Sequence, residues 1–206
     1  MLYKIAHILR DRMPFLWTMI GWVNSILFGL RYGRYSKGID EILKKYSEGS
    51  VAKGRRLRFK RLDTANIPAL AAMFAEQPEE AFDYFRPHDF DTKTLRHLSA
   101  DKSFLAFVVM ADAVAVGYFF QRSFFWGKSF RGYMTDYRWQ RQGINRLMNL
   151  CATDISSLLG LRVFGSISPE NIASMKSAQS ANDVVILETL DNGDYYVQYL
   201  PKRKDS

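Results

Sequence analysis

Leu57 and Phe59 alternate with charged residues between Arg56 and Leu62, the two-residue period of a strand with one face buried. The spacing then lengthens. Asp63-Thr64 supplies capping side chains, Ile67-Pro68 suits a first helical turn, and Leu70, Met73 and Phe74 recur on one helical face. Residues 78–86 and 92–98 continue at helical spacing, the second opening at Asp91. Two apolar runs follow, SFLAFVVM over 103–110 and VAVGYFFQR over 114–122, and the short Ala111-Asp112-Ala113 link predicts a hairpin. A third strand is predicted over 128–138, and a helix from the loop after it to Leu159. A strand over 162–168, a helix over 171–180 and strands over 184–190 and 195–200 complete the chain. The last two are joined by the turn residues Asp191-Asn192-Gly193-Asp194. The predicted order is strand, two helices, three strands, helix, strand, helix, two strands, with no internal repeat.

The first 55 residues read differently. Residues 13–30 are 18 positions without a charge, preceded by Lys4, Arg10 and Arg12 and followed by Arg31, Arg34 and Lys37. That is the lower edge of a membrane-spanning length. Pro14, Gly21, Asn24, Ser25 and Gly29 interrupt the stretch, and Thr18, Gly21, Ser25 and Gly29 form a small, weakly polar stripe at helical spacing. Basic residues on both flanks put both ends on the cytoplasmic side. The expectation for residues 1–35 is a helical element on or re-entering an anionic membrane surface. The alternatives are packing on the protein's own body, a second subunit in a homodimer, or a true span. Residues 32–55 read as a short helix over 40–46 within a polar, glycine-punctuated linker. The chain therefore divides into an extension, 1–55, and a main domain, 56–206.

Charge follows the same division. Residues 1–61 carry 14 Lys/Arg and 4 Asp/Glu, while residues 62–206 carry 15 and 17. A pI near 9.6 suggests nucleic acid when the charge is spread over the domain. Here the main domain is close to neutral, so no nucleic-acid partner is expected, and the basic surplus suits anionic head groups. An apolar share of 48% supplies a sizeable core. The lone Cys151, between Leu150 and Ala152, excludes an internal disulfide and reads as a buried thiol in a reducing, cytoplasmic compartment.

The chemistry concentrates between Tyr133 and Arg146. Tyr133, Thr135 and Tyr137 alternate with Met134, Asp136 and Arg138 and run into Gln140-Arg141-Gln142-Gly143-Ile144-Asn145, after which a helical pattern begins. A strand feeding a helix through such a loop exposes first-turn N–H groups at the positive end of the helix dipole, a seat for phosphate.

Gln140 and Gly143, at this interval after a strand, resemble the Gln/Arg-x-x-Gly-x-Gly/Ala signature of the GCN5-related N-acetyltransferases (GNAT superfamily), with Asn145 where that family has Gly or Ala. Asn171 and Ser174 resemble its Asn-x-x-Ala/Ser helix start. Phe85-Arg86-Pro87-His88 is similar to a Phe-x-Pro-His segment of members associated with amino-sugar acetylation for bacterial surface polysaccharides. The resemblance implies an α+β GNAT fold, a central and mostly antiparallel sheet of six to seven strands flanked by helices. It implies acetyl-coenzyme A as co-substrate and no metal. The edge of Tyr133, Thr135 and Tyr137 would follow the pantetheine arm. Gln140, Arg141, Gln142, Gly143, Ile144, Asn145 and Arg146 would hold the pyrophosphate, and Asn171 and Ser174 would meet the arm.

The implied acceptor is a primary amine on a nucleotide- or lipid-linked amino sugar. A protein or small-amine acceptor is one alternative, and a non-catalytic, coenzyme A-binding membrane scaffold is another. Candidate bases are His88, Asp136 and Glu170. Each also has a structural reading, as a loop-holding imidazole, a salt-bridged carboxylate and a helix-start acid respectively. Two departures stand out. Ala178 occupies the place of the family's acidic Tyr, and Asn182-Asp183 replaces its Gly-Phe, leaving Ser177, Ser180 or water to protonate the leaving thiolate.

Overall fold

The computed structural model describes residues 14–202. Two helices come first, α1 (Pro14–Tyr32) and α2 (Ser36–Glu48), joined by the 3-10 turn Gly33–Tyr35. The strands are β1 (Val51–Ala52), β2 (Arg55–Arg61), β3 (Phe104–Ala111), β4 (Val114–Ser123), β5 (Lys128–Thr135), β6 (Arg162–Ile167), β7 (Asn182–Thr189) and β8 (Tyr195–Pro201). Between them lie α3 (Ile67–Ala75), α4 (Thr92–Ala100), α5 (Ile144–Leu159) and α6 (Ile172–Ala181). The eight strands form one sheet in the order β1-β2-β3-β4-β5-β6-β8-β7. Every pairing is antiparallel except β5 with β6.

This is the expected α+β architecture, with one strand more than expected. Val51–Ala52 is too short to show a period and forms only because Lys53 and Gly54, both at positive φ, close a tight hairpin onto β2. Residues 78–86, expected to be helical, contain only the 3-10 turn Glu79–Phe82. Pro87 disfavours helical geometry at Arg86, and the segment continues as the irregular loop that carries His88. The third strand stops at Thr135 rather than Arg138, because Asp136 caps a 3-10 turn over Tyr137–Trp139.

Helices cover both faces of the sheet. On one face α1, α2 and α5 bring Phe28, Tyr32, Ile39, Leu43 and Met148 against Phe107 and Phe119. On the other, α3 and α4 set Leu70, Phe74 and Leu95 against Val108 and Tyr118. β3 is buried on both sides, hence its unbroken apolar run. β2 is covered on one side only and alternates.

α1 is mounted by its polar residues. Asn24 Nδ2 donates to the Ser123 carbonyl at 3.0 Å, and Asn24 Oδ1 accepts from the Phe125 N–H at 3.0 Å. Ser25 Oγ accepts from the Lys102 N–H at 3.0 Å, and Arg31 Nη1 donates to the Phe125 carbonyl at 2.9 Å. Phe28 and Tyr32 enter the core, and the remaining apolar residues face out, with Trp22 66% and Leu30 79% exposed. No helix among the described residues is long and apolar enough to cross a membrane, which removes support for a true span. Lys4, His7, Arg10 and Arg12 lie outside the described residues.

Candidate functional site

The sheet opens between β5 and β6. Their pairing covers only Lys128↔Arg162, Ser129↔Val163 and Phe130↔Phe164. Beyond it β5 stays on β4 to Thr135, and β6 stays on β8 to Ile167. Each strand keeps its outer neighbour and loses the other, so a V-shaped gap widens from residue 131 onward. The Asp136 N–H donates to the Val116 carbonyl at 3.0 Å. By strand alternation the N–H and C=O of Thr135 and Tyr133 then point away from β4, into the gap.

The loop at the head of the gap is held from outside. Asp136 is fully buried, and its two oxygens accept from Arg138: the backbone N–H at 2.8 Å, Nε at 3.0 Å and Nη2 at 2.7 Å. Arg138 also pairs with Glu76 at 2.7 Å, the Tyr137 N–H donates to Gln77 Oε1 at 3.0 Å, and Lys53 Nζ donates to the Arg138 carbonyl at 2.6 Å. Asp136 is thus engaged as an anchor of the loop.

Arg141 and Gly143 then adopt left-handed φ of 59° and 76°, which turns the chain directly into α5. No side chain caps that helix. Asn145 turns along it, its Oδ1 accepting from Asn149 Nδ2 at 3.0 Å. The first-turn amides of Ile144, Asn145 and Arg146, which a helix cannot satisfy from within, are left without a side-chain partner. Gln140, Arg141, Gln142 and Arg146 are exposed around them, and Ile144 is buried beneath. The structure therefore brings the residues from Tyr133 to Arg146 into one strand-loop-helix unit.

Across the gap, Asn171 caps α6 by accepting from the Ser174 N–H at 3.0 Å. Its Oδ1 serves the helix and only its Nδ2 is uncommitted. Ala178 is buried, Ser180 Oγ bonds the Ser177 carbonyl at 2.7 Å, and Ser177 Oγ has no partner. Glu170 is exposed, with the Tyr84 hydroxyl 3.4 Å from Oε2, so the 80s loop meets the start of α6 over the gap. Burial and the Glu170 charge raise the Tyr84 hydroxyl pKa above its ordinary value.

His88 lies deeper. Its Nδ1 sits 2.7 Å from the Asp89 carbonyl and its Nε2 2.9 Å from the buried Tyr118 hydroxyl. A carbonyl only accepts, so Nδ1 carries the proton and Tyr118 donates to Nε2. Desolvation holds this imidazole below its usual value, against the raising influence of Asp89 and Asp91. Phe85 and Phe120 wall the same side, close over Gly132, where a Cβ would lie 2.7 Å from Phe120. Cys151 is buried and its thiol is pushed far up by desolvation.

Buried polar atoms without a protein partner gather on the strand and helices that wall the gap. They are Tyr133 Oη, Thr135 Oγ1, Asn149 Oδ1, Ser177 Oγ and two nitrogens of Arg131, while Gln121 Oε1 on β4 is a further such atom away from these elements. Each would cost about 1–3 kcal/mol if left unmade. Grouped on one opening, the oxygens of Thr135, Asn149 and Ser177 suit a ligand with several amide and carbonyl groups, and the pantetheine arm fits that description. Sequence reading missed Arg131 and the bonded Thr153–Asn182 pair. Arg131 did carry a signal, because it shares its strand face with Tyr133 and Thr135. An apolar cavity of about 270 Å³ between α1–α2 and β3 involves none of the predicted site residues, and no group of ligands suited to a metal occurs among the described residues.

No protein-family model matches the chain, and no curated protein matches it in sequence. Solved structures do match in fold. The GNAT domain of S. lividans PAT superposes with a TM-score of 0.62 at 10% identity, covering 72% of this chain and 93% of that one. The PaiA N-acetyltransferase from Thermoplasma acidophilum, in complex with coenzyme A, gives 0.58 at 12% identity, covering 71% and 99%. YncA from Salmonella typhimurium, a putative acetyltransferase with its cofactor acetyl-CoA, gives 0.55 at 18% identity, covering 73% and 96%. The fold is that of the GNAT acetyltransferases.

Proposed function

We propose that this protein is a coenzyme A-dependent N-acyltransferase, moving acetyl from acetyl-CoA to the primary amine of a nucleotide- or lipid-linked amino sugar in surface-polysaccharide synthesis. The observation that carries acyl transfer is the V-shaped gap between β5 and β6, opening beside a helix whose first amides have no cap. The co-substrate supplies an activated thioester when bound. The amides from Gly143 to Arg146 hold its diphosphate, with Arg141 and Arg146 adding charge. The inward N–H groups of Tyr133 and Thr135 pair with the arm, and one of them stabilises negative charge developing on the carbonyl oxygen, a contribution of roughly 3 kcal/mol.

Glu170 is the base this reading favours. Asp136 is committed to Arg138, and both ring nitrogens of His88 are engaged, whereas the Glu170 carboxylate is exposed and touched only by Tyr84. His88 then acts by fixing Tyr118 and the aromatic wall. Phe85, half-buried over the core residue Phe120, is the ring available to a sugar or base, in keeping with the Phe-x-Pro-His resemblance. The outward apolar side of α1, with Arg34 and Lys37 beside it, supports peripheral attachment to the inner face of the cytoplasmic membrane, where lipid-linked precursors are handled.

The test is a thiol-release assay with acetyl-CoA over nucleotide-linked amino sugars, peptides and small amines. Turnover is expected with an amino sugar, and Glu170→Gln should lower it by about a hundredfold or more while coenzyme A affinity stays unchanged. Turnover with peptides or small amines alone would overturn the sugar assignment. Coenzyme A binding without any turnover would favour the scaffold.

A further inference from the structure

Arg131 is a buried cation without a counter-ion. It is the first residue beyond the last β5–β6 pair, at the closed end of the gap, and only 6% exposed. Nη1 donates to Thr153 Oγ1 at 2.9 Å. The guanidinium stacks 3.7 Å from the centroid of Tyr199 and 5.4 Å from that of Tyr133. Nε and Nη2 have no protein partner, and no carboxylate among the described residues pairs with it. Of the acids on flanking elements, Asp136 is held by Arg138, and Asp154 by Lys45 at 2.9 Å and Tyr46 at 3.0 Å. A guanidinium keeps its charge in a protein, and burying it unpaired costs more than ring stacking returns.

Its place along β5 says what anion would fit. The phosphate seat is at residues 143–146 and the inward amides are at Thr135 and Tyr133. A thioester arm laid along that edge therefore points its acyl end toward Arg131, roughly 7 Å along the strand from Tyr133. The Tyr133 hydroxyl, on the same strand face, is a second unused donor.

We propose that Arg131 and the Tyr133 hydroxyl form a carboxylate receptor at the closed end of the gap, and that the favoured acyl group is a short dicarboxylic one, malonyl or succinyl. This rests on the coenzyme A reading above, keeps its acyl transfer and puts a dicarboxylic acyl group in place of acetyl as the favoured donor. In the transfer a C–N bond forms and the C–S bond breaks. One ammonium proton goes to Glu170 before attack, the second nitrogen proton leaves as the C–S bond breaks and reaches the thiolate through water, and the distal carboxylate is unchanged. Arg131 touches only that distal group and sets which acyl chain is accepted.

Calorimetric titration of the full chain with coenzyme A, butyryl-CoA and succinyl-CoA tests this. The wild type should bind succinyl-CoA about tenfold or more tighter than butyryl-CoA, as a charge-assisted bond predicts. Arg131→Met should erase that preference with coenzyme A affinity unchanged, and Arg131→Lys should keep part of it. Coenzyme A binding with no succinyl preference in the wild type would overturn the receptor and leave the coenzyme reading standing. Equal weakening of all three ligands by Arg131→Met would assign the guanidinium to the arm and also overturn it. No heat with any ligand would sink the coenzyme reading and the receptor together. Should Arg131→Met fail to fold by circular dichroism, the wild-type comparison and Arg131→Lys decide the matter.

Discussion

Gly143 and Gly160 stand at the two ends of α5, with left-handed φ of 76° and 64°. A Cβ built on either meets nothing within 4 Å. Replacing either by alanine therefore adds no clash, and the whole cost is that of holding an L-residue in left-handed geometry, about 1–2 kcal/mol. For a chain of this size that is a fall of roughly 2–8 °C in melting temperature, and the two variants should match. Coenzyme A separates them. The methyl at 143 projects beside the first-turn amides, while the methyl at 160 is a helix length away. Gly143→Ala should weaken coenzyme A by about tenfold, the loss of one hydrogen bond to a charged group. Gly160→Ala should leave it unchanged. Differential scanning fluorimetry reads the first quantity and calorimetric titration the second. Equal affinities for the two variants would refute a diphosphate seat at the head of α5. Unchanged melting temperatures would refute the backbone account.

Burial keeps the His88 pKa below its ordinary 6.5, so folding favours the neutral ring. The stability this gives is complete above about pH 6.5 and is lost as pH falls through the lower folded value. The urea-denaturation advantage of the wild type over His88→Gln should accordingly shrink between about pH 7.5 and pH 5, and an advantage that grew on acidification would refute it. Trp22→Ser with Leu30→Ser should reduce flotation with anionic liposomes while leaving the melting temperature within about 2 °C, since surface substitutions of this kind move stability little. Undiminished flotation, or loss of a dimer in its place, would count against the membrane reading.

Strand and helix order was legible because single periods dominate where one face is covered, as in β2, and apolar runs dominate where both are, as in β3. What escaped depended on partners distant in sequence. Asp136 is open in the sequence to both a base and a salt-bridged carboxylate, and what decides is its burial, with Arg138 folded back on it and Glu76, from the end of α3, joining the pair. His88 looks available until the Tyr118 hydroxyl, 30 residues on, takes its Nε2. The glycine loop before α5 was readable because positive φ leaves a mark in residue type. Arg131 was not, since a charged residue in a strand ordinarily marks a solvent face. Here the face it marks is interior, and only the parting of β6 from β5 gives the side chain somewhere to go.

The same limit explains α1. Its stripe of small and polar residues looks like the weak side of an amphipathic helix, the side that belongs in water. Thr18 and Gly21 stay exposed, but the structure turns the second half of the stripe inward, because Asn24 and Ser25 satisfy backbone groups at Ser123, Phe125 and Lys102 that no apolar residue could serve. Hydrogen bonding, together with the burial of Phe28 and Tyr32, thus fixes the orientation, and the rest of the hydrophobic surface is left over. Burying a large apolar side chain is worth about 1.5–3 kcal/mol. Trp22 and Leu30 alone therefore forgo several kcal/mol in water, a sizeable share of a domain's net stability. The β4–β5 turn adds Trp126, 51% exposed, beside the Phe125 carbonyl that Arg31 holds. Under the proposed attachment to a membrane, this outward apolar surface, continued by a neighbouring loop, is the part of α1 that would enter the head-group region. The basic residues at its end favour an anionic surface over a second neutral protein face.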